Sequence, residues 1–211
     1  MNGLYPVALR LAGKVCVVVG GGGVALRRVG GLLEAGARVR VAAPVLSAGL
    51  EALAAGNALE LLRQPFGPEC LDGAFLAIAA TDSADVNAEV ARACAQRGVL
   101  FSDAGESGRG DFVIPAVLRR GALLIAVTTS GCSPSLAARI RDELAARYGP
   151  EYADLAEILG EARQRALSTG VPDRGRLTQL AGDDSLLELI REGRAEEARA
   201  KAISCISSPL E

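Results

Sequence analysis

The residues with chemistry to offer first come together near the start of the chain. Val17-Val18-Val19-Gly20-Gly21-Gly22-Gly23-Val24-Ala25-Leu26 runs from an apolar, β-branched stretch through four glycines into a helical pattern. Gly20, Gly22 and Ala25 stand at the spacing G-x-G-x-x-G/A. In a phosphate-binding turn Gly20 permits the tight bend, Gly22 keeps a Cβ out of the way of a pyrophosphate, and the small Ala25 lets helix and strand pack closely. The start of the helix adds unpaired N–H groups and a partial positive charge. A packing turn without a ligand uses the same residues, so the place of the turn in the fold decides between the two. NAD sites carry an acid for the ribose hydroxyls roughly 20 residues on, whereas the next apolar run here ends in Val41-Ala42-Ala43-Pro44. Arg38 and Arg40 are candidates for a 2′-phosphate or are solvated strand residues, and at this level NAD and NADP both stay open.

The elements that position this turn follow from the periodicity. Lys14 to Val19 is a continuous apolar run, as in a parallel strand covered on both faces. A helical pattern from Val24 through Leu33 closes near Gly36, and the stretch from Ala37 makes the next strand, stopping at Pro44 and completing a βαβ unit. The alternation continues with a helix at Leu46 to Ala55, strands at Leu59 to Arg63 and Ala74 to Ala80, a helix at Ala84 to Arg97, and a strand in Val99-Leu100-Phe101-Ser102-Asp103. Strands alternating with helices predict a parallel sheet of Rossmann type.

After Gly110 the pattern changes. Asp111 to Gly131 reads as strand, a turn at Arg120-Gly121, and strand, which is a hairpin. Ser133-Pro134 pairs an N-cap residue with proline at the first helical position, opening a helix to about Arg147. Beyond Gly149-Pro150 the chain is helical, with a break at Ser168 to Asp173 and shorter helices to about Ala202. The expected organisation is α/β: a Rossmann domain over 1–112, a small hairpin-plus-helix dimerisation segment over 113–149, and a helical C-terminal domain over 150–211.

Composition narrows the function. Half of the 211 residues are hydrophobic but only 3% are aromatic, so aliphatic side chains and alanine build the core. With 23 basic against 25 acidic residues, nothing draws the chain as a whole to nucleic acid or to an anionic membrane, and an anionic partner must meet local arginines. The five cysteines form no CxxC and there is no histidine, which argues against a zinc site. The odd cysteine count and the lack of a signal-peptide pattern point to a reducing, cytoplasmic setting. The apolar runs are too short to span a bilayer.

Three stretches together resemble a known family: the glycine turn with its flanking strands up to Pro44, Leu76 to Asn87, and Gly110 to Leu144. In this order and at these distances they are similar to precorrin-2 dehydrogenase, the dehydrogenase and ferrochelatase module of siroheme synthases, over about Leu4 to Tyr148. The resemblance implies NAD-dependent oxidation of precorrin-2 to sirohydrochlorin and, in bifunctional members, insertion of Fe²⁺ as a substrate. It also implies a free-standing homodimer with a tetrapyrrole cleft beside the nicotinamide. By position it places dinucleotide contacts on Gly23 and Val24, on Pro44 and Val45, and on Thr81 and Asp82.

Family members carry an acid/base aspartate after the fifth strand, seven residues before the phenylalanine that here is Phe112. Counting back gives Gly105. The nearest carboxylates are Asp103 and Glu106, taken in that order as the proton acceptor, with Asp111 third. Loss of hydride from a reduced macrocycle leaves a proton, and a carboxylate is the simplest base in a chain without histidine. A polycarboxylate substrate calls for arginines, and Arg109, Arg119, Arg120, Arg139 and Arg141 fall in this third of the sequence. Of these, Arg109, Arg119 and Arg120 are the candidates, with Thr129 and Ser130 at a helix start for one further carboxylate arm. A different class of protein, an NAD(H)-sensing Rossmann module without catalysis, shares the glycine turn but does not require the hairpin or the Ser130-to-Ala137 motif.

Overall fold

The computed structural model describes residues 3–106, 109–168 and 174–207. Backbone proximity divides the chain into two units: Met1–Ile114 with Ser130–Cys132, and Pro115–Thr129 with Ser133–Glu211.

In the first unit β1 (Val15–Val19), β2 (Arg38–Ala42), β3 (Glu60–Leu62), β4 (Ala74–Ala79) and β5 (Leu100–Asp103) form one parallel sheet in the order β3-β2-β1-β4-β5. Helices α1 (Gly23–Glu34), α2 (Ala48–Ala55) and α3 (Ala84–Arg97) connect the strands. The unbroken valine run of β1 has a direct cause. Cys16 and Val18 pack in a cluster with Ala25, Val29 and Leu32 of α1 and Leu50 of α2, while Val17 and Val19 pack in a second with Val90, Ala93 and Cys94 of α3. A strand covered on both faces has no place for a polar side chain. Full burial of each valine contributes about 1.5–3 kcal/mol, so the glycine turn hangs from the most firmly held strand of the sheet.

The second unit opens on an antiparallel hairpin of β6 (Ala116–Arg120) and β7 (Leu123–Val127). Helix α4 (Pro134–Arg147) and α5 (Glu151–Ser168) pack on the hairpin. Helices α6 (Arg174–Ala181), α7 (Asp184–Arg191) and α8 (Ala195–Ser207) share with α5 a core of Ile158, Ala162, Leu180, Leu186, Ala198 and Ala202.

Four local expectations are corrected. Phe112 to Ile114 are not a strand: Pro115 has no N–H to give to a ladder, and Phe112 and Ile114 pack instead against the first core cluster of the sheet. The hairpin turn is Gly121-Ala122 rather than Arg120-Gly121, because Arg120 still pairs with Leu123. A single 3-10 turn at Pro68–Leu71 precedes β4, too short to leave a periodic signal. Helix α8 continues to Ser207, about one turn past the expected end. Of the expected helix break at Ser168 to Asp173, Ser168 is still in α5 and residues 169–173 lie outside the described residues.

Candidate active site

The four glycines divide into two pairs. Gly20 sits at φ +130°, its N–H donates to the Ala42 carbonyl at 3.0 Å, and a Cβ on it would run into the Ala80 carbonyl. A Cβ on Gly21 would run into the Val45 carbonyl, and the Gly21 carbonyl accepts a 2.8 Å bond from the Ser47 N–H. Protein fills the space that side chains at these two positions need. At Gly22 and Gly23 the reverse holds, since no heavy atom lies within 4 Å of an added Cβ. Gly22 is the N-cap of α1, with no side-chain cap and no acid in the first turn. Val24 is half-buried, and Ala25 is fully buried against the sheet. The cradle that a side chain would fill is therefore Gly22-Gly23, at a helix start with bare N–H groups, and it fits a dinucleotide pyrophosphate.

Strand register sets what surrounds this corner. Ala42, Val19, Ala79 and Asp103 align across β2, β1, β4 and β5. The loops that follow them leave the same edge, and the sheet reverses its order between β1 and β4, where open α/β sheets bind ligands. The loop after β2 carries Pro44 and Val45, and Val45 is 78% exposed beside the glycine turn. The loop after β4 carries Thr81 and Asp82, and its Ala80 abuts Gly20.

The structure removes both arginine candidates for a 2′-phosphate. Arg40 is mostly buried, donates to the carbonyls of Cys70 at 3.0 Å and Asp72 at 2.9 Å, and pairs with Glu60 at 2.9 Å. Arg38 aligns with Val15, at the end of β2 away from the glycine turn.

Asp103 is the last residue of β5, and its side chain is only 2% exposed. Its Oδ1 accepts from the Gly105 N–H at 2.9 Å, the Glu106 N–H at 3.2 Å and the Asn87 amide at 3.4 Å. Its Oδ2 faces Arg109 at 3.9 Å, and Arg109 in turn pairs with the exposed Glu106 at 3.3 Å. Asp103, Glu106 and Arg109 are thus brought together on one loop. Asp111 has another task, accepting from the Phe101 N–H at 2.9 Å and so pinning the far end of that loop to β5. Burial pushes the thiols of Cys16 and Cys94 up to about 11, which makes them packing groups rather than nucleophiles.

The remaining substrate candidates stand apart in the chain. Arg119 is exposed on β6; Arg120 donates to the Tyr148 carbonyl at 3.1 Å and ties β6 to the end of α4. Thr129 accepts from the Ser133 N–H at 3.0 Å, Ser130 has a left-handed φ of +54°, and Ser133 caps α4 through the Leu136 N–H at 3.3 Å. Arg139 and Arg141 pair with the neighbouring Glu143 and Asp142 on the exposed face of α4. The sequence reading passed over one site-forming residue, Asn87. Together with Ser102 and Asp103 it is one of the buried polar side chains among the described residues.

A family model described as NAD(P)-binding matches residues 7–116, and one described as "Sirohaem biosynthesis protein central" matches residues 120–147. A solved structure titled "SirC, precorrin-2 dehydrogenase" aligns with a TM-score of 0.73 and 30% identity over 96% of this chain and 98% of that one. The chain belongs to the precorrin-2 dehydrogenase family. Curated family relatives include a siroheme synthase of Photobacterium profundum, 35% identical over 96% of this chain and 44% of that protein. Another, from Chromobacterium violaceum, is 36% identical over 93% of this chain and 42% of that protein. The chain spans less than half the length of these two relatives. Among the described residues no helix is long and apolar enough to cross a membrane.

Proposed function

We propose that this protein oxidises precorrin-2 to sirohydrochlorin with NAD. The observation that carries the proposal is the likeness to a precorrin-2 dehydrogenase over nearly the whole of both chains, and the open cradle at Gly22-Gly23 supports it. Bound NAD supplies the hydride acceptor. Gly20, Gly22, Gly23, Val24 and Ala25 form the corner for its pyrophosphate, with Pro44 and Val45 on one side and Thr81 and Asp82 on the other. Loss of hydride from the reduced macrocycle leaves one proton to be taken up, and Asp103 takes it through Oδ2, the oxygen that no N–H group among the described residues engages. Glu106 and Arg109 set the charge around that oxygen. Arg109 and Ser130 in the first unit and, separately, Arg119, Arg120 and Thr129 in the second are the groups proposed to meet carboxylate arms of the substrate.

The protein works as a homodimer in this reading. The hairpin of the 113–149 segment presents Val117 and Leu124 at 38% and 41% exposure on one face, and a second copy covers that face. Fe²⁺ enters this reading only as a substrate to be inserted into sirohydrochlorin, not as a resident metal.

Anaerobic incubation of the purified protein with precorrin-2 and NAD tests the proposal. Sirohydrochlorin absorbance should rise together with NADH; an unchanged spectrum alongside measurable NAD binding favours the sensing module instead. Fe²⁺ added afterwards reads out chelation in the same cuvette.

A further inference from the structure

Asn87 lies in the first turns of α3, 5% exposed, with its amide oriented by two partners. Its Oδ1 accepts from the Thr81 hydroxyl at 2.6 Å, and its Nδ2 donates to the Thr81 carbonyl at 3.2 Å and to Asp103 Oδ1 at 3.4 Å. Reversing the amide would set its oxygen against the Thr81 carbonyl and the Asp103 carboxylate and break both of those contacts, so only one orientation satisfies the network. The chain of contacts runs from the loop after β4, which borders the glycine turn, to the carboxylate at the end of β5.

We infer that Asn87 is a positioning residue for the dehydrogenase reaction, holding Asp103 Oδ1 so that Oδ2 is the oxygen that accepts the substrate proton. This rests on the role given to Asp103 above. Three N–H donors converge on Oδ1: Gly105 and Glu106 from the loop and Asn87 from the helix. Among the described residues Oδ2 has only Arg109 nearby, at 3.9 Å, beyond hydrogen-bond range. The charged groups around it are Arg109 and Glu106 on the loop after β5; α3 contributes the neutral Asn87 and the loop after β4 the neutral Thr81. Asn87 is the only one of the three donors that a side-chain substitution removes, and it joins the base to the cofactor loop through Thr81.

The test uses the full chain carrying Asn87→Ala, the isosteric Asn87→Asp, or Asp103→Asn. For each, kcat with precorrin-2 and NAD is measured across pH, together with NAD affinity and the circular dichroism spectrum. Asn87→Ala should lower kcat on the order of tenfold and move the acid limb of the kcat profile to higher pH. The ionised base has then lost a donor, and the KM for precorrin-2 should change far less than kcat. Asn87→Asp keeps the acceptor for the Thr81 hydroxyl but turns a carboxylate oxygen toward Asp103, so it should move the limb further in the same direction. An acid limb at the wild-type position in a folded, NAD-binding Asn87 variant, with Asp103→Asn inactive, overturns the inference and leaves the role of Asp103 standing. Wild-type turnover in Asp103→Asn removes the role of Asp103 and the inference with it.

Discussion

The N-termini of α1 and α7 solve the same problem in opposite ways. At α7 Asp183 accepts from the Ser185 N–H at 3.0 Å and pairs with Lys201 at 2.9 Å, so the exposed donors of the first turn meet a side chain and a charge. Helices α3 and α4 are treated likewise by Ser83 and Ser133. At α1 the cap is Gly22, with no side-chain bond, no acid in the first turn and open space around Gly22 and Gly23. With glycine at the cap, the helix forgoes only about a few tenths of a kcal/mol relative to a capping side chain. A bare helix start beside the packed Gly20 and Gly21 is where we propose that the pyrophosphate sits.

Three substitutions sharpen the contrast. The largest effect belongs to Gly20→Ala, which asks an L-residue to hold φ +130° with its Cβ in the Ala80 carbonyl. Denaturant unfolding should show a loss of at least about 3 kcal/mol. Two residues on, Gly22→Asp meets nothing within the protein, and stability should stay within about 0.5 kcal/mol. Calorimetric titration should then show NAD affinity falling on the order of a hundredfold, as a negative side chain opposes the pyrophosphate. A tightly packed Gly22, revealed by unfolding as severe as for Gly20→Ala, would erase the distinction between the two glycine pairs.

The smallest effect is at α7. Asp183→Ala should cost about 1 kcal/mol near neutral pH through loss of the cap. The hydrogen bond from Ser185, and then that from Lys201, hold the Asp183 carboxyl below its ordinary value of 3.8. A carboxyl lowered in the folded state stabilises fully above the unfolded value, and that contribution fades as pH falls through the folded one. The difference between Asp183→Ala and the parent in thermal unfolding should therefore shrink below pH 3.8. A constant gap down to strongly acid pH would mean that the charge of Asp183 contributes nothing.

Much of the sheet was legible because two-sided burial imposes unbroken apolar runs, and β1 and β4 are such runs, while β2 alternates arginine with apolar residues and β5 turns polar at its end. The glycine turn was legible for Gly20 and Gly22 through motif spacing. Gly21 was not, because its constraint is the Val45 carbonyl, a residue 24 positions later that only the fold brings near. Arg40 misled for the same reason: its partners Cys70 and Asp72 belong to a 3-10 turn without periodicity. Asn87 sits in a helix start where a polar residue reads as solvated, and only the end of β5 behind it makes it a buried bridge. Counting back from Phe112 pointed to Gly105 because the count assumes a fixed loop length. The loop is gripped at its root by Asp103 and closed at its far end by the Asp111–Phe101 bonds.

The Val45 carbonyl seated against Gly21, with the Ser47 N–H bonded back to the Gly21 carbonyl, fastens two loops into one rigid corner. On the proposed reading, a dinucleotide arriving there would find its frame already assembled, so little of its contact energy would be diverted to ordering the protein. Loosening that latch, rather than changing any group that touches the nucleotide, is how affinity at this corner would be tuned from a distance.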